Sequence, residues 1–313
     1  MTRPSRFAAA ALVAAGLLAP LAAEAAGTRT HVSNAGSDAN TAFSCDYAHP
    51  CRTFAAALTV TTPGGEILAI DSSGYGKLVI DRSVSIIAAP GVFAGIGVGA
   101  GGNATGVEIA TPGVDVVLRG LAITGQGGTY GINMSNGATL SVENCVISGF
   151  AISGGAGIHI DTDAQVRIVD STLRSNDAGL KARNGTVNIA GSRFLGNSLV
   201  GIGGHAAAGA NAYITVSDAI VADGNYGIIS ESTTTGHIKV AVTRSTVSNG
   251  NYGLYANKLA TGTARLTVSN SLVYKNTWGL VAQGGAVLNS LGNNPVQDNT
   301  NPTGGSITTV PLI

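Results

Sequence analysis

Apolar residues alternate with polar ones in short runs that return along the chain at nearly constant spacing. Pairs two residues apart recur at Val116/Leu118, Leu140/Val142, Val166/Ile168, Val187/Ile189, Ile214/Val216, Val240/Val242 and Leu266/Val268. Alternation puts both members of a pair on one face of a strand, here the inner one. Five residues after each pair stands another apolar position: Ile123, Ile147, Leu173, Phe194, Val221, Val247 and Val273. Two residues before that lies a mostly small column, Leu121, Cys145, Ser171, Ser192, Ala219, Ser245 and Ser271. A third strand signal is a glycine followed by an aliphatic residue, at Gly106, Gly131, Gly157, Gly179, Gly201, Gly227, Gly253 and Gly279, separated by 25, 26, 22, 22, 26, 26 and 26 residues.

A period in this range is the signature of a solenoid, in which a repeat buries its apolar face only by stacking on its neighbours. Between the first two strands of each repeat stand Gly120, Asn144, Asp170, Gly191, Asp218, Arg244 and Asn270. All but Arg244 are of types that tolerate a left-handed backbone, so a bend is expected there. Three strands and recurrent bends per coil predict an all-β fold, a right-handed parallel β-helix with coils about 4.8 Å apart. A leucine-rich repeat does not fit, because leucine is scarce and no helical segment recurs.

Outside the repeat, Thr28 to Asn34 reads as a strand and Asn34 to Pro50 as a polar loop. Arg52 to Val60 reads as a short capping helix, with Thr53 as N-cap and Pro63-Gly64-Gly65 as its stop. Strands are expected at Glu66–Ile70, Lys77–Ile80 and Val84–Ala88. Gly91 to Gly106 reads as a flexible connection. Asn293-Asn294-Pro295 and Asn301-Pro302 read as turns, and Ile307 to Leu312 as a closing strand. The expected division is residues 1–25 as signal peptide, 26–105 as N-terminal cap and irregular first coil, 106–290 as repeats and 291–313 as C-terminal cap, with 26–313 one domain.

Composition places this chain. Arg3 and Arg6 precede an apolar run from Phe7 to Leu18, and Ala23-Glu24-Ala25 supplies the small residues read by a signal peptidase. Cleavage after Ala25 and a secreted or periplasmic location are expected. No later stretch is long and apolar enough to span a bilayer. In an oxidising compartment two of the three cysteines should pair, and Cys45 and Cys51, six apart around a turn, are the expected disulfide. Cys145 falls in the small column and is expected as a buried free thiol. The formal charge is zero and 11% of the 313 residues are charged, which gives no electrostatic case for a nucleic-acid partner. No metal site or cofactor motif is present.

The segments Thr30-His31-Val32-Ser33, Gly36-Ser37-Asp38, Pro50-Cys51-Arg52-Thr53-Phe54 and Gly64-Gly65-Glu66-Ile67 resemble the start of bacterial secreted right-handed β-helix proteins with the pectate-lyase-like fold. The coils resemble that group's repeat, so the resemblance spans nearly the whole mature chain. It implies the fold and leaves the activity open, since the group holds lyases, glycoside hydrolases, epimerases and members without assigned function.

Candidate chemistry lies on the outward side of the Gly-aliphatic strands. One outward column holds Glu108, Asn133, His159, Lys181, Gly203, Ile229, Tyr255 and Val281; the next holds Ala110, Ser135, Asp161, Arg183, His205, Glu231, Asn257 and Gln283. His159, Asp161 and Asp163 are expected on one strand face beside Lys181 and Arg183. Ordinary charge decoration of an exposed sheet is the first reading, at about 0.2–1 kcal/mol per pair. The functional readings are a base and cations for elimination on an acidic polymer (His159, Lys181, Arg183) or paired acids for hydrolysis (Asp161, Asp163). Lyase, polygalacturonase and calcium-repeat motifs are all missing. His205, Glu231, Tyr255 and Asn257 are candidates to contact a polysaccharide. Tyr226, Tyr252 and Trp278, just before the repeat glycines, read first as a stacking ladder and second as sugar platforms. The leading expectation is polysaccharide binding, or its modification, along this face. A non-catalytic envelope, surface or adhesion protein and a polysaccharide lyase or hydrolase are the alternatives.

Overall fold

The structure, a computed structural model, describes residues 27–101 and 104–311; the segment read as a signal peptide lies outside them. Each full coil gives one strand to each of three parallel sheets, holding 12, 10 and 10 strands among the described residues. Sheet I carries the alternating pairs, sheet II the single apolar column and sheet III the Gly-aliphatic strands. The sequence columns are the ladder partners: Leu140 pairs with Val116 and Val166, Val187 with Ile214, and Val240 with Leu266. Their side chains are buried in one continuous core. Burying an aliphatic side chain contributes about 1.5–3 kcal/mol, and no coil could bury its own without the next.

Two corners shape the coil. The first, between sheets I and II, has positive φ at all seven expected positions, from Arg244 at 46° to Gly120 at 72°. Arg244 breaks the compositional rule, and its guanidinium forks onto the Asp218 carboxylate one coil away at 2.9 Å for both bonds. The second corner, after sheet II, has its own left-handed column at Gly149, Ser175, Gly196, Asp223, Asn249, Lys275 and Asp298. Serine and lysine do not announce such a bend, so composition hides this column.

Where the ladder breaks at a corner, side chains replace it. Ser171, Ser192, Ser245 and Ser271 accept from the backbone N–H of the equivalent residue one coil back, at 3.1–3.2 Å. At the second corner Asn176, Asn197, Asn276 and Asn299 accept in the same way at 2.9–3.2 Å. Unpaired backbone groups buried there would cost about 1–3 kcal/mol each. Asn176, Asn197 and Asn276 are therefore turn-satisfying residues, as expected, whereas Asn249 is exposed and forms part of the bend itself.

The repeat glycine has a steric cause. Beyond the second corner the chain enters sheet III with no room for a side chain. A Cβ on Gly131 would stand 2.5 Å from the Gly157 carbonyl oxygen and 2.6 Å from Ile147 Cγ2. Each of the other repeat glycines meets the backbone carbonyl of the following coil at 2.5–2.9 Å.

At the N-terminal end a single α-helix, α1 (Phe54–Val60), is capped by Thr53, whose side chain accepts from Ala56 N at 3.1 Å. It buries Phe54, Ala57 and Leu58 against the first coil. Cys45 and Cys51 form the expected disulfide, with Cα atoms 5.0 Å apart, and Cys145 is a buried free thiol.

Three local expectations are corrected. Pro63-Gly64-Gly65 does not separate helix from strand: the chain is already extended from Thr61 to Ala69, with a register shift in the ladder between Gly27 and Arg29. Ala94–Gly99 is a sheet II strand with Ala94, Ile96 and Val98 buried, in a stretch whose many glycines suggested a loop. Asn301–Gly304 is a sheet III strand and Val296–Gln297 a sheet II strand, so another coil precedes the closing strand Ile307–Thr309. Among the described residues no helix is long and apolar enough to cross a membrane.

Gly131→Ala should lower unfolding stability by about 1–3 kcal/mol through overpacking. Gly97→Ala, where a Cβ meets nothing within 4 Å, should change it little. Urea titration of the two variants checks this, and equal effects would refute the steric account of the repeat.

Candidate functional site

Sheet III stacks its outward side chains in strict register. One row runs Val79, Glu108, Asn133, His159, Lys181, Gly203, Ile229, Tyr255, Val281. Its two halves differ in character.

The half nearer the N-terminus is polar and bonded from coil to coil. Asn133 Nδ2 donates to both oxygens of Glu108, at 2.8 and 3.1 Å. His159 Nδ1 lies 2.8 Å from Asn133 Oδ1, and the imidazole stacks on Tyr130 with centroids 4.7 Å apart and planes 11° apart. His159 is 8% exposed. Burial pushes its pKa down to about 4; Asp161 opposes the shift, and Lys181 and Arg183 add to it. Lys181 is half-buried, donates to Gly154 O at 3.1 Å, and is also held below its ordinary value by burial, with Asp177 opposing.

The C-terminal half is apolar. Ile229, Tyr255 and Val281 form a second buried cluster on the outside of the sheet with Ala156, Ala178 and Val200. Tyr226 and Tyr252 stack at 4.9 Å and 11°, and Tyr255 tilts against both at 5.2 Å. Tyr226, Tyr252 and Trp278 pack against this cluster, so the ladder reading describes what these rings do.

The remaining candidates divide accordingly. Arg183 and Asp161 form an exposed pair at 3.6 Å, which is ordinary decoration. Asp163 does not share the strand with His159. The strand ends at Ile160, and Asp163 sits in the bend that follows, so the expected three-residue alternation fails. His205 and Glu231 approach at 3.5 Å, and Asn257 Nδ2 donates to Glu231 at 2.9 Å. The hydrogen bond from His205, then that from Asn257, holds Glu231 below the usual carboxylate range against its burial. Tyr255 and Asn257 are each 7% exposed, less open than an outward stripe implied. Among the described residues no three His, Cys, Asp or Glu side chains gather as a metal site would require.

Sequence reasoning missed the concavity. A groove of about 610 Å³ lies between α1 and the N-terminal edge of sheet III, lined by residues that include Leu58, Thr59, Lys77, Val79, Asp81 and Glu108. Val79, 65% exposed between buried Leu78 and Ile80, forms part of its wall. Alternation marks Val79 as outward, but only the docking of α1 makes a wall opposite it. Glu108 belongs to both groove and ladder, so the two form one continuous surface.

A three-sheet parallel solenoid with a groove running onto one outward face defines the class of protein: a right-handed β-helix. The profile of the right handed beta helix region matches residues 105–301, and the chain belongs to that family. Among solved structures the chain is similar to the pectate lyase Pel9A, with TM-score 0.69 and 16% identity over 89% of this chain and 78% of that one. At such identity the likeness is one of fold. PfbA, a surface adhesin of Streptococcus pneumoniae, aligns with TM-score 0.39 and 10% identity over 79% of this chain and 86% of that one. No curated protein matches the sequence.

The depressed pKa of His159 sets a pH dependence. An unfolded histidine near 6.5 binds a proton that the folded one refuses until about 4, so stability is full above 6.5 and falls as pH drops through that window. The loss should be on the order of 2 kcal/mol. Thermal unfolding against pH should show this slope, and His159→Gln should flatten it; an unchanged slope would contradict the assignment.

Proposed function

We propose that this is an exported protein that binds a polysaccharide along the outward face of sheet III. One observation carries the reading: the groove beneath α1 continues through Glu108 into the row Asn133, His159 and Lys181, making an elongated polar track. A track of stacked coils suits an extended polymer better than a compact ligand. The cations that elimination would need are engaged, Lys181 with Gly154 O and Arg183 with Asp161, which supports binding rather than turnover. The Cys45–Cys51 disulfide supports an oxidising compartment.

Affinity electrophoresis through gels containing a panel of neutral and acidic polysaccharides tests the reading. The wild type should be retarded by at least one, and Val79→Trp, which fills the groove, should weaken retention at least roughly tenfold. Asp161→Ala combined with Arg183→Ala, on the same face, should weaken it less. Tyr213→Ala, on sheet I, should leave it unchanged. No retardation by any polymer would sink the proposal and favour a surface or adhesion role.

A further inference from the structure

The chain Glu108–Asn133–His159 has a direction. An ionised carboxylate has no proton to give, so both of its contacts with Asn133 are made by the amide nitrogen. That orientation turns Asn133 Oδ1, an acceptor, toward His159 Nδ1 at 2.8 Å. Nδ1 must therefore carry the ring proton. Nε2 is left as a bare acceptor, and it has no hydrogen-bond partner among the described residues. His159 is more than nine-tenths buried, between Tyr130 stacked on its ring and the Lys181 coil paired to its own.

A buried acceptor without a donor is costly, at about 1–3 kcal/mol. The groups facing it make the surroundings rich in acceptors: the Asp161 carboxylate stands close enough to act on the ring, and Glu108 lies two coils away. The amine of Lys181 is turned to Gly154 O. A carboxylate arriving here would meet a lone pair, whereas a hydroxyl would supply the missing donor.

We propose that the Glu108–Asn133 relay locks His159 as the neutral Nδ1–H tautomer so that its Nε2 receives a hydroxyl of a neutral sugar unit. This rests on the polysaccharide reading above and narrows it. The subsite takes a hydroxyl-bearing neutral residue and discriminates against a uronate at that position. Asn133 acts as a positioning residue, and His159 touches the ligand.

Two measurements test it separately. Long-range ¹H–¹⁵N spectra of the ¹⁵N-labelled wild type at neutral pH should show His159 with protonated Nδ1 and pyridine-like Nε2. In Asn133→Leu the signals should move toward the Nε2–H tautomer. A wild-type ring that is protonated at Nε2, or a tautomer indifferent to Asn133→Leu, overturns the lock while leaving polysaccharide binding standing. In affinity gels, galactomannan should retard the wild type more than polygalacturonate does. Asn133→Leu and His159→Phe should each weaken galactomannan retention roughly tenfold. Preference for polygalacturonate, or retention unaffected by both variants, overturns the hydroxyl assignment. If the tautomer is found as stated but no polymer retards the wild type, the polysaccharide reading falls and takes the hydroxyl assignment with it.

Discussion

Each coil turns a corner at which the next coil's carbonyl occupies the place of a side chain. The other regularities depend on that close approach. With glycine there, the sheet III strand can lie against the core side chain of sheet II in its own coil. The three sheets then enclose an interior wide enough for one layer of aliphatic side chains and little else. Because the ladders are parallel and in register, whatever one coil places at a position stands beside its equivalents in adjacent coils. Serine and asparagine columns exploit this by accepting from backbone groups that no strand reaches. Like residues stack because like environments stack.

The same register organises the outer face of sheet III, with different chemistry along its length. Toward the C-terminus large side chains cover the sheet and bury one another, forming a second, external core. Toward the N-terminus the row is polar, and each member is satisfied by the one before it until His159, where the chain of donors and acceptors stops at Nε2. The boundary falls at Gly203. A Cβ there would lie 2.7 Å from His205 Nε2, so the imidazole lies across the gap that glycine leaves. Function is sought in the polar half because that half continues into the groove and ends in an unsatisfied group.

Much of the architecture was legible because a solenoid repeats its physics. The pair Val240/Val242 and its equivalents identified sheet I, the glycines identified sheet III, and small polar residues identified the first corner. Legibility failed where residue type and backbone conformation part company. Ser175 and Lys275 take left-handed conformations that their chemistry does not favour, held there by the coil around them. Ala94–Gly99 looked like a loop because glycine is frequent in it, yet stacking on the next sheet II strand supplies the order that its side chains do not. Asp163 looked like a partner of Asp161 by alternation, which stops meaning anything once the strand ends at Ile160.

The sequence by itself determined the period, the inward and outward assignment of most strand residues, and the columns in which His159, Lys181 and Glu231 stand. These follow from local rules, since alternation and glycine sterics act over a few residues and then repeat. What each outward residue does was decided only by the tertiary structure. Whether Tyr255 is open or buried depends on rings two coils apart in the stack, at Tyr226 and Val281. The groove depends on α1 docking beside a strand that begins some eighteen residues later. The proton on His159 depends on Glu108, two coils back along the solenoid and fifty-one residues back along the chain. Such couplings arise from stacking, and no local pattern encodes them.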